Sequence, residues 1–341
     1  MKRCIELARL GLGSTYPNPM VGSVIVYDNK IIGEGWHDKS GNPHAEVNAI
    51  NAVDDKKLLK KATIYVSLEP CSHYGKTPPC SDLIIEKGIK KVVIGTVDPN
   101  KQVAGKGIQK LLNAGCKVVV GVEEDACLEI NKRFFTYHQK KRPFIILKWA
   151  ESIDGFIAPN QKDERAPVWI SNLYSRQLTH KWRTEEQAIL VGGNTVLADN
   201  PSLTSRTWQG NNPLRVVIGS KAKLPEGSAV LNTEATTLIF STDDAINIDQ
   251  LANHEIISLN PNENTIKQVL SHLYDKHIQS LIIEGGLHTL SQFINQNLWD
   301  EARIFIGSKM LLSGVKAPNI KGKVKQEKPV LNDTLKILFN D

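Results

Sequence analysis

Two short stretches of the sequence carry residue types that can bind a metal ion and move protons. The first is Pro43-His44-Ala45-Glu46, and the second runs from Pro70 to Cys80. Together they offer one imidazole, two thiols (Cys71 and Cys80) and one carboxylate. An imidazole and two thiolates form the ligand set of a catalytic zinc site whose fourth position stays open. A water molecule in that position loses a proton near neutral pH and becomes a nucleophile.

These residue types predict distinct roles. His44, Cys71 and Cys80 are the predicted zinc ligands, and Glu46 is the predicted catalytic residue that transfers protons. A His-x-Glu sequence with a later Pro-Cys pair is the signature of zinc-dependent deaminases. The common form has two residues between its cysteines, whereas eight intervene here. His73 lies between them, and the sequence leaves open whether it competes as a ligand or hydrogen-bonds the substrate.

The elements around these stretches must bring the four side chains together. We predict a helix with Pro43 at its first position that runs to about Val53. His44 and Glu46 would point about 200° apart within a regular helix, so they can share a site only near its start. A strand at 62–68 ends just before Cys71, and strand ends are where α/β sheets place ligands. Cys80 begins a helix, whose dipole stabilises a thiolate.

The other elements of the first half alternate between strands and helices. This alternation predicts parallel strands joined by helical crossovers. A hairpin signal, Asp28-Asn29-Lys30, joins the first two strands. We predict strands at 21–27, 31–36, 91–97 and 117–120, and helices at 2–13, 80–87, 107–114 and 123–141.

Composition indicates a globular protein of about two domains, given 341 residues and 41% apolar content. The net charge of +6 suits phosphorylated substrates and is weak evidence for nucleic acid. Five cysteines without a disulfide-dense pattern indicate a reducing compartment. No apolar run approaches the roughly 20 residues of a membrane span, and the first ten residues lack a signal-peptide core. We therefore expect a cytoplasmic protein with neither nucleic-acid nor membrane partners.

Several motifs resemble the deaminase half of the bifunctional riboflavin-biosynthesis deaminase–reductase family. They are the His-Ala-Glu stretch, the long cysteine spacing with Thr77-Pro78-Pro79 before Cys80, and the segment from Tyr16 to Gly22. The sequence leaves two roles for Asn18 in that segment, turn formation and a hydrogen bond to substrate. The resemblance makes it a candidate substrate-binding residue.

The second half begins at a basic boundary, so we divide the chain into 1–142 and 143–341. Strand 144–150 carries Lys148 inside an apolar run, and a buried lysine needs a partner or a function. The pattern from Leu147 to Gly155 resembles the start of the family's reductase half. Further predicted elements are helices at 172–183 and 287–297 and strands at 188–193, 215–220 and 281–286. Residues 309–341 are left open as edge strands or a dimer contact.

The resemblance also implies site residues in the second half. No GxGxxG turn is present, so a Rossmann-type dinucleotide site is not supported. Glu151 and Gly219 depart from the family pattern, which usually has a small residue and an aspartate at these positions. The implied substrate-binding residues are Lys148, Arg183, Leu203, Arg206 and Glu284, and the implied NADPH contacts are Glu151, Trp169, Thr195, Asp199, Ser220, Gly285 and Gly286.

The predicted fold class is α/β. It combines a cytidine-deaminase-like three-layer α/β/α domain with a dihydrofolate-reductase-like α/β domain. The resemblance implies a zinc-dependent deamination of a phosphoribosylaminopyrimidine, an NADPH-dependent reduction of its ribosyl side chain, and a homo-oligomer, dimer or tetramer. The alternatives are a nucleic-acid deaminase with a non-reductase second domain, a zinc scaffold with a fourth protein ligand, and a deaminase with an inactive reductase.

Overall fold

The computed structural model describes residues 1–74, 78–100, 104–161, 164–219, 224–225, 227–242 and 253–340. The chain forms two compact units, Met1–Lys141 and Arg142–Asp341. We call them unit 1 and unit 2.

Unit 1 contains a five-stranded sheet and its helices. A 3-10 helix spans Lys56–Lys61. The other elements are α1 (Lys2–Arg9), β1 (Gly22–Tyr27), β2 (Lys30–Trp36), α2 (Ala45–Asn51), β3 (Thr63–Leu68), α3 (Cys80–Glu86), β4 (Lys91–Thr96), α4 (Lys106–Asn113), β5 (Lys117–Val120), α5 (Glu124–Ile130) and α6 (Lys132–Lys140).

The strand order of unit 1 is β2-β1-β3-β4-β5. The predicted hairpin is confirmed, and β3, β4 and β5 run parallel, as their helical connections require. Because side chains alternate between the faces of a sheet, Ile25 packs with α2, α3 and α4 while Val24 packs with α1. Helices thus cover both faces, which gives the predicted α/β/α layers.

Three helix predictions in unit 1 were wrong in their bounds. α1 ends at Arg9 and not at residue 13. α2 begins at Ala45 and not at Pro43, so His44 is the N-cap residue, with extended backbone. The single helix predicted over 123–141 is broken at Asn131. The Asn131 amide accepts a hydrogen bond from the Met20 backbone N–H and donates to the Met20 carbonyl, 2.8 Å each. This clamp on a distant loop gives a reason for the break that local periodicity does not reveal.

Unit 2 contains a nine-stranded sheet, a two-stranded sheet and four helices longer than one turn among its described residues. A 3-10 turn spans Ala229–Leu231. The other elements are β6 (Phe144–Glu151), β7 (Phe156–Ala158), α7 (Leu173–Glu185), β8 (Ala188–Gly192), α8 (Gly193–Asp199), β9 (Leu214–Ile218), β10 (Thr237–Ser241), β11 (His254–Ser258), α9 (Thr265–Asp275), β12 (Ser280–Ile283), α10 (Leu287–Asn295), β13 (Glu301–Ile306), β14 (Val315–Lys316), β15 (Lys323–Val330) and β16 (Asp333–Phe339).

The large sheet of unit 2 has the order β11-β10-β9-β8-β12-β6-β13-β16-β15. Its first seven strands are parallel, and β16 and β15 are antiparallel additions at one edge. Alternate residues of β6 enter different cores. Ile145 and Leu147 pack with α9 and α10, whereas Phe144 and Ile146 pack with α7 and α8. The segment after residue 309 thus supplies edge strands, one of the two roles left open above.

Membrane insertion of a helix finds no support in the described ranges. None of their helices combines the length and the apolar character that crossing a bilayer requires.

Candidate active sites

The predicted zinc ligands of unit 1 lie together. His44 caps α2, Cys71 lies in the loop after β3, and Cys80 is the first residue of α3. His44 Nδ1 lies 3.6 Å from Cys71 Sγ and 3.3 Å from Cys80 Sγ. The three ligand atoms all fall within 4.8 Å of one another. Three separate elements therefore converge on one point.

This donor set fits a zinc ion. Zinc bonds of 2.0–2.1 Å to nitrogen and 2.3 Å to sulfur, at a tetrahedral angle, place N and S about 3.6 Å apart. The two N–S separations lie near that value without rearrangement. Hydrogen bonds from the Cys80 thiol and from His44 and the Cys80 backbone lower the pKa of Cys71 to about 4. A thiolate ligand is thus already stabilised at neutral pH.

Glu46 lies in the first turn of α2 and is 3% exposed. Burial, followed by the charge of Cys71, raises the pKa of this carboxyl to about 7. His73 is exposed, and the ligand cluster of the described residues does not include it. The cluster therefore holds three protein ligands, which is the open arrangement of a catalytic site rather than the closed set of a scaffold.

Asn18 is held by a histidine that sequence reasoning missed. Its Nδ2 atom lies 3.0 Å from Nε2 of His37, whose Nδ1 atom lies 3.2 Å from the Pro43 carbonyl. The carbonyl can only accept, so Nδ1 carries the proton and Nε2 accepts from Asn18. The His37 ring also packs edge-on against His44, with centroids 5.4 Å apart. A histidine directly after β2 and seven residues before His44 was the available signal.

A second missed residue, Glu69, anchors the loop that carries Cys71. Its buried carboxylate accepts hydrogen bonds from the backbone N–H groups of Asp98 (3.3 Å), Gly105 (2.9 Å), Gly107 (2.9 Å) and Ile108 (3.3 Å). One side chain thereby joins the end of β3 to the start of α4. Glu69 follows β3 directly and precedes Pro70-Cys71, so it fixes where the ligand loop begins.

We expect Glu69→Gln to lower the free energy of unfolding of unit 1 by about 2 to 3 kcal/mol, because charge-assisted bonds to backbone N–H groups are lost. Hydrogen exchange of the amides of Gly105, Gly107 and Ile108 should accelerate. The exposed Glu86→Gln on α3 is the matched control. Unchanged exchange at these three amides would show that the carboxylate does not hold this loop.

Unit 2 contains a cavity of about 750 Å³. It brings together residues from β6, α7, α8, the loop after α8 and the turn between β12 and α10. Of the predicted site residues, the cavity wall includes Lys148, Trp169, Arg183, Thr195, Asp199, Leu203, Arg206, Glu284, Gly285 and Gly286.

Among the described residues, one predicted NADPH contact, Glu151, is not part of this wall. The Glu151 carboxylate instead accepts a 2.8 Å hydrogen bond from the Trp149 indole. Ser220 lies outside the described residues. Gly286 sits beside α8, because an added Cβ would lie 3.0 Å from Thr195 Oγ1. Glycine therefore allows close approach of the β12–α10 turn to α8.

A buried charge cluster lies in the cavity wall. Arg183 donates from Nε and Nη2 to the two oxygens of Glu284, at 2.9 and 2.8 Å. Lys148 Nζ lies 3.7 Å from Glu284. Burial alone would raise the pKa of Glu284, but Arg183 and Lys148 lower it to about 2. Burial lowers the pKa of Lys148, and Glu284 opposes that shift. The predicted lysine thus has a partner as well as access to the cavity.

Two further cavity residues lie on α7 and were not predicted. The Arg176 guanidinium stacks over the Trp169 ring, 4.4 Å from its centroid. The His180 imidazole lies one helical turn from Arg183, and its Nδ1 is 3.1 Å from the Thr204 carbonyl. Their spacing of three or four residues on α7, ending at Arg183, was the signal that a helix face lines the site.

These pKa shifts predict an acid-sensitive unit 2. Burial, with Arg183 and Arg206, lowers the pKa of His180 from 6.5 to about 4, so the unfolded chain takes up that proton first and stability falls between pH 6.5 and 4. Glu284 adds a second loss between pH 4.5 and 2. Thermal unfolding followed by tryptophan fluorescence reports chiefly on unit 2, which holds five of the six tryptophans.

The variant His180→Asn should remove the loss of stability between pH 6.5 and 4 and keep the loss between pH 4.5 and 2. The relevant quantity is the difference between the two profiles of unfolding temperature against pH. Parallel profiles from pH 6.5 to 4 would contradict the assignment of that loss to His180.

The fold and these sites define a zinc-dependent deaminase unit and a separate reductase-type unit. Residues 1–96 match the cytidine and deoxycytidylate deaminase zinc-binding region, and residues 143–335 match the RibD C-terminal domain. The chain belongs to the riboflavin-biosynthesis deaminase–reductase family, and it is a bifunctional enzyme that uses zinc and NADPH. Matches over both halves do not favour a nucleic-acid deaminase.

Relatives cover nearly the whole chain. Riboflavin biosynthesis protein RibD of Aquifex aeolicus is 41% identical over 92% of this chain and 88% of its own length. The Synechocystis protein of the same name is 39% identical over 95% and 87%. A crystal structure of a diaminohydroxyphosphoribosylaminopyrimidine deaminase and 5-amino-6-(5-phosphoribosylamino)uracil reductase from Thermotoga maritima is 38% identical, with a TM-score of 0.90, over 100% of this chain and 97% of that one.

Proposed function

We propose that unit 1 removes by hydrolysis the 2-amine of 2,5-diamino-6-(5-phosphoribosylamino)pyrimidin-4(3H)-one. Water adds to the amine-bearing ring carbon, ammonia leaves, and a carbonyl replaces the amine. The name of the Thermotoga maritima relative supports this substrate. The observation that carries the proposal is the open His44–Cys71–Cys80 cluster with the buried Glu46 two residues from His44.

In this proposal His44, Cys71 and Cys80 hold the metal through one nitrogen and two sulfur atoms. When bound, zinc supplies an activated water molecule as the nucleophile. Glu46 takes a proton from the attacking water and passes protons to the ring nitrogen and to the departing ammonia. Asn18 hydrogen-bonds the pyrimidine through its Oδ1 atom or its second Nδ2 hydrogen, since one Nδ2 hydrogen is donated to His37.

We propose that unit 2 reduces the deaminated product, 5-amino-6-(5-phosphoribosylamino)uracil, to its ribityl form. NADPH, when bound, supplies the hydride for C1 of the sugar. Opening of the ribose ring first exposes an imine or carbonyl at C1. The proposed NADPH contacts in the cavity are Trp169, Thr195, Asp199, Gly285 and Gly286; those of Glu151 and Ser220 stay predictions from the sequence.

The substrate would contact a second set of cavity residues. Arg206 is exposed in the cavity, and a planar guanidinium suits phosphate oxygens because it can donate two bonds at once. Leu203 and the Arg183–Glu284 pair line the site beside it. Lys148 presents a cation to the sugar oxygens next to the reacting carbon. Its place in the buried strand β6 gives that cation a fixed position.

Removal and return of zinc tests whether the metal serves deamination alone. The metal is removed with a chelator. Ammonia release is then followed with the diaminopyrimidine substrate, and NADPH oxidation with the deaminated intermediate. We expect ammonia release to disappear and to return with one zinc per chain, while NADPH oxidation on the supplied deaminated intermediate persists. Loss of both activities on chelation, with fluorescence showing unit 2 still folded, would contradict the assignment of zinc to deamination alone.

We also propose a homo-oligomer in the cytoplasm. Strand β15 is exposed along almost its whole length and lies at the edge of the large sheet, where a second copy can add a strand. Val324 and Leu331 add exposed apolar surface there, at 49% and 73%. Light scattering of the purified chain is the test. A monomer at micromolar concentration would overturn this proposal.

A further inference from the structure

His180 lines the cavity of unit 2, and its two ring nitrogens differ in their contacts. The residue as a whole is 7% exposed and lines the cavity. Its Nδ1 must carry a proton, because the Thr204 carbonyl 3.1 Å away can only accept. In a neutral ring the Nε2 atom is then a hydrogen-bond acceptor. Within the described residues Nε2 has no hydrogen-bond partner, and its exposed edge belongs to the cavity.

The charged groups around His180 are nearly all donors. Arg183, Arg206 and Lys148 offer N–H groups and cannot accept. Glu284 can accept, but both its oxygens are already bound by Arg183, and one faces Lys148. A phosphate oxygen can bond such donors, whereas a sugar hydroxyl must also donate its own proton. On this wall of the cavity, His180 Nε2 is an acceptor that no protein group uses.

We propose that His180 is a substrate-binding residue of the reductase site, whose Nε2 accepts a hydrogen bond from a secondary hydroxyl of the ribosyl or ring-opened sugar. This inference rests on the proposed reduction of a phosphoribosylaminopyrimidine in unit 2. The lowered pKa of His180 agrees with it, because the ring stays neutral, and thus an acceptor, at pH 7.

A purely structural role explains the geometry less well. The Thr204 carbonyl that accepts from His180 also accepts from Arg183 Nη1, at 2.9 Å. The loop at Thr204 therefore keeps one buried donor if the histidine is replaced. The imidazole is not needed to satisfy that carbonyl, whereas its cavity-facing nitrogen has a use only when a ligand is present.

Two substitutions separate the two ring nitrogens. His180→Asn keeps an amide donor near Nδ1, for Thr204, but cannot reach the Nε2 position. His180→Gln carries its amide to the Nε2 position but gives up the bond to Thr204. His277→Asn is the matched control, since His277 is exposed at a left-handed turn that asparagine accepts readily.

NADPH oxidation is measured in the full-length chain, with the deaminated substrate and with its 2-deoxy and 3-deoxy ribosyl analogues. We expect His180→Asn to lower kcat/KM for the full substrate by about 3- to 10-fold, the value of one hydrogen bond, with the KM for NADPH unchanged. The decrease in kcat/KM should be smaller for His180→Gln than for His180→Asn. One deoxy analogue should be about 3- to 10-fold poorer than the full substrate for the wild type, and no poorer for His180→Asn.

Three results would overturn the inference. They are an unchanged kcat/KM in His180→Asn, equal losses in the Asn and Gln variants, and a deoxy penalty that persists in His180→Asn. Ammonia release by unit 1 serves as an internal check on the amount of active chain. A wild type that never oxidises NADPH would refute the proposed reduction itself, and this inference with it.

Discussion

Glu46→Gln is expected to lower the rate of ammonia release by about 10²- to 10⁴-fold, the usual contribution of a positioned general acid–base. The substitution keeps the size and shape of a buried side chain, so α2 and the ligand cluster should persist. Because glutamine cannot take a proton from water, the attacking water and the leaving amine both lose their proton carrier. Steady-state ammonia release with the diaminopyrimidine substrate measures the effect.

The control for Glu46→Gln is twofold. Zinc content should stay at one per chain, and NADPH oxidation with the supplied deaminated intermediate should stay at the wild-type rate. Glu34→Gln, which removes a partly exposed carboxylate paired with Arg3, should leave ammonia release unchanged. Near-normal ammonia release in zinc-loaded Glu46→Gln would remove Glu46 from the proton-transfer role.

Lys148→Met is expected to lower kcat/KM for NADPH oxidation by about 10²- to 10³-fold, because a fixed cation beside the reacting carbon is lost. Folding should survive, since Glu284 keeps its two hydrogen bonds to Arg183 and the buried cation itself is unfavourable. Stopped-flow NADPH absorbance with the deaminated intermediate measures the loss.

Lys181→Met is the matched control for Lys148→Met. Lys181 lies on α7, more exposed and 3.7 Å from Glu185, so its loss should leave the reduction unchanged. The unfolding temperature reported by fluorescence should not fall in Lys148→Met. Full reductase activity in that variant would show that the ammonium does not act on the substrate.

The sequence was sufficient for the zinc cluster because each ligand sits at the end of an element. His44 precedes α2, Cys71 follows β3 and Cys80 starts α3, so parallel-sheet topology brings them to one edge. The exact start of α2 was missed because Pro43 is an equally good first helical residue. The cap position of His44 is set by tertiary bonds, including the one from His37 to the Pro43 carbonyl.

The reductase cavity was less predictable because its wall is made of long-range contacts. Lys148 was recognisable as a charge within an apolar strand. Nothing in the local sequence indicates that Arg183 donates hydrogen bonds to Glu284, 101 residues away. His180 has no recognisable motif around it, and only packing shows which of its nitrogens faces the cavity.

One residue that the resemblance assigns to NADPH has another contact in the structure, and its role stays a prediction. Glu151 was assigned to NADPH although a small residue is usual there, and its carboxylate is engaged by Trp149 outside the cavity wall. A bulky charged residue at a position that usually holds a small one therefore has a local partner of its own. Departures from a family pattern identify the assignments that depend most on the structure.

One polypeptide carries two sites, and the product of the first is proposed as the substrate of the second. The most direct measurement follows ammonia and NADPH absorbance together, from the diaminopyrimidine substrate, for Glu46→Gln, for Lys148→Met and for an equimolar mixture of both. We expect ammonia release from the first variant to be slower by about 10²- to 10⁴-fold. The second variant should release ammonia with little NADPH oxidation, and the mixture should restore both signals. A mixture that releases ammonia but leaves NADPH unoxidised, while Glu46→Gln alone reduces the supplied intermediate, would contradict the proposal that the product of unit 1 is the substrate of unit 2.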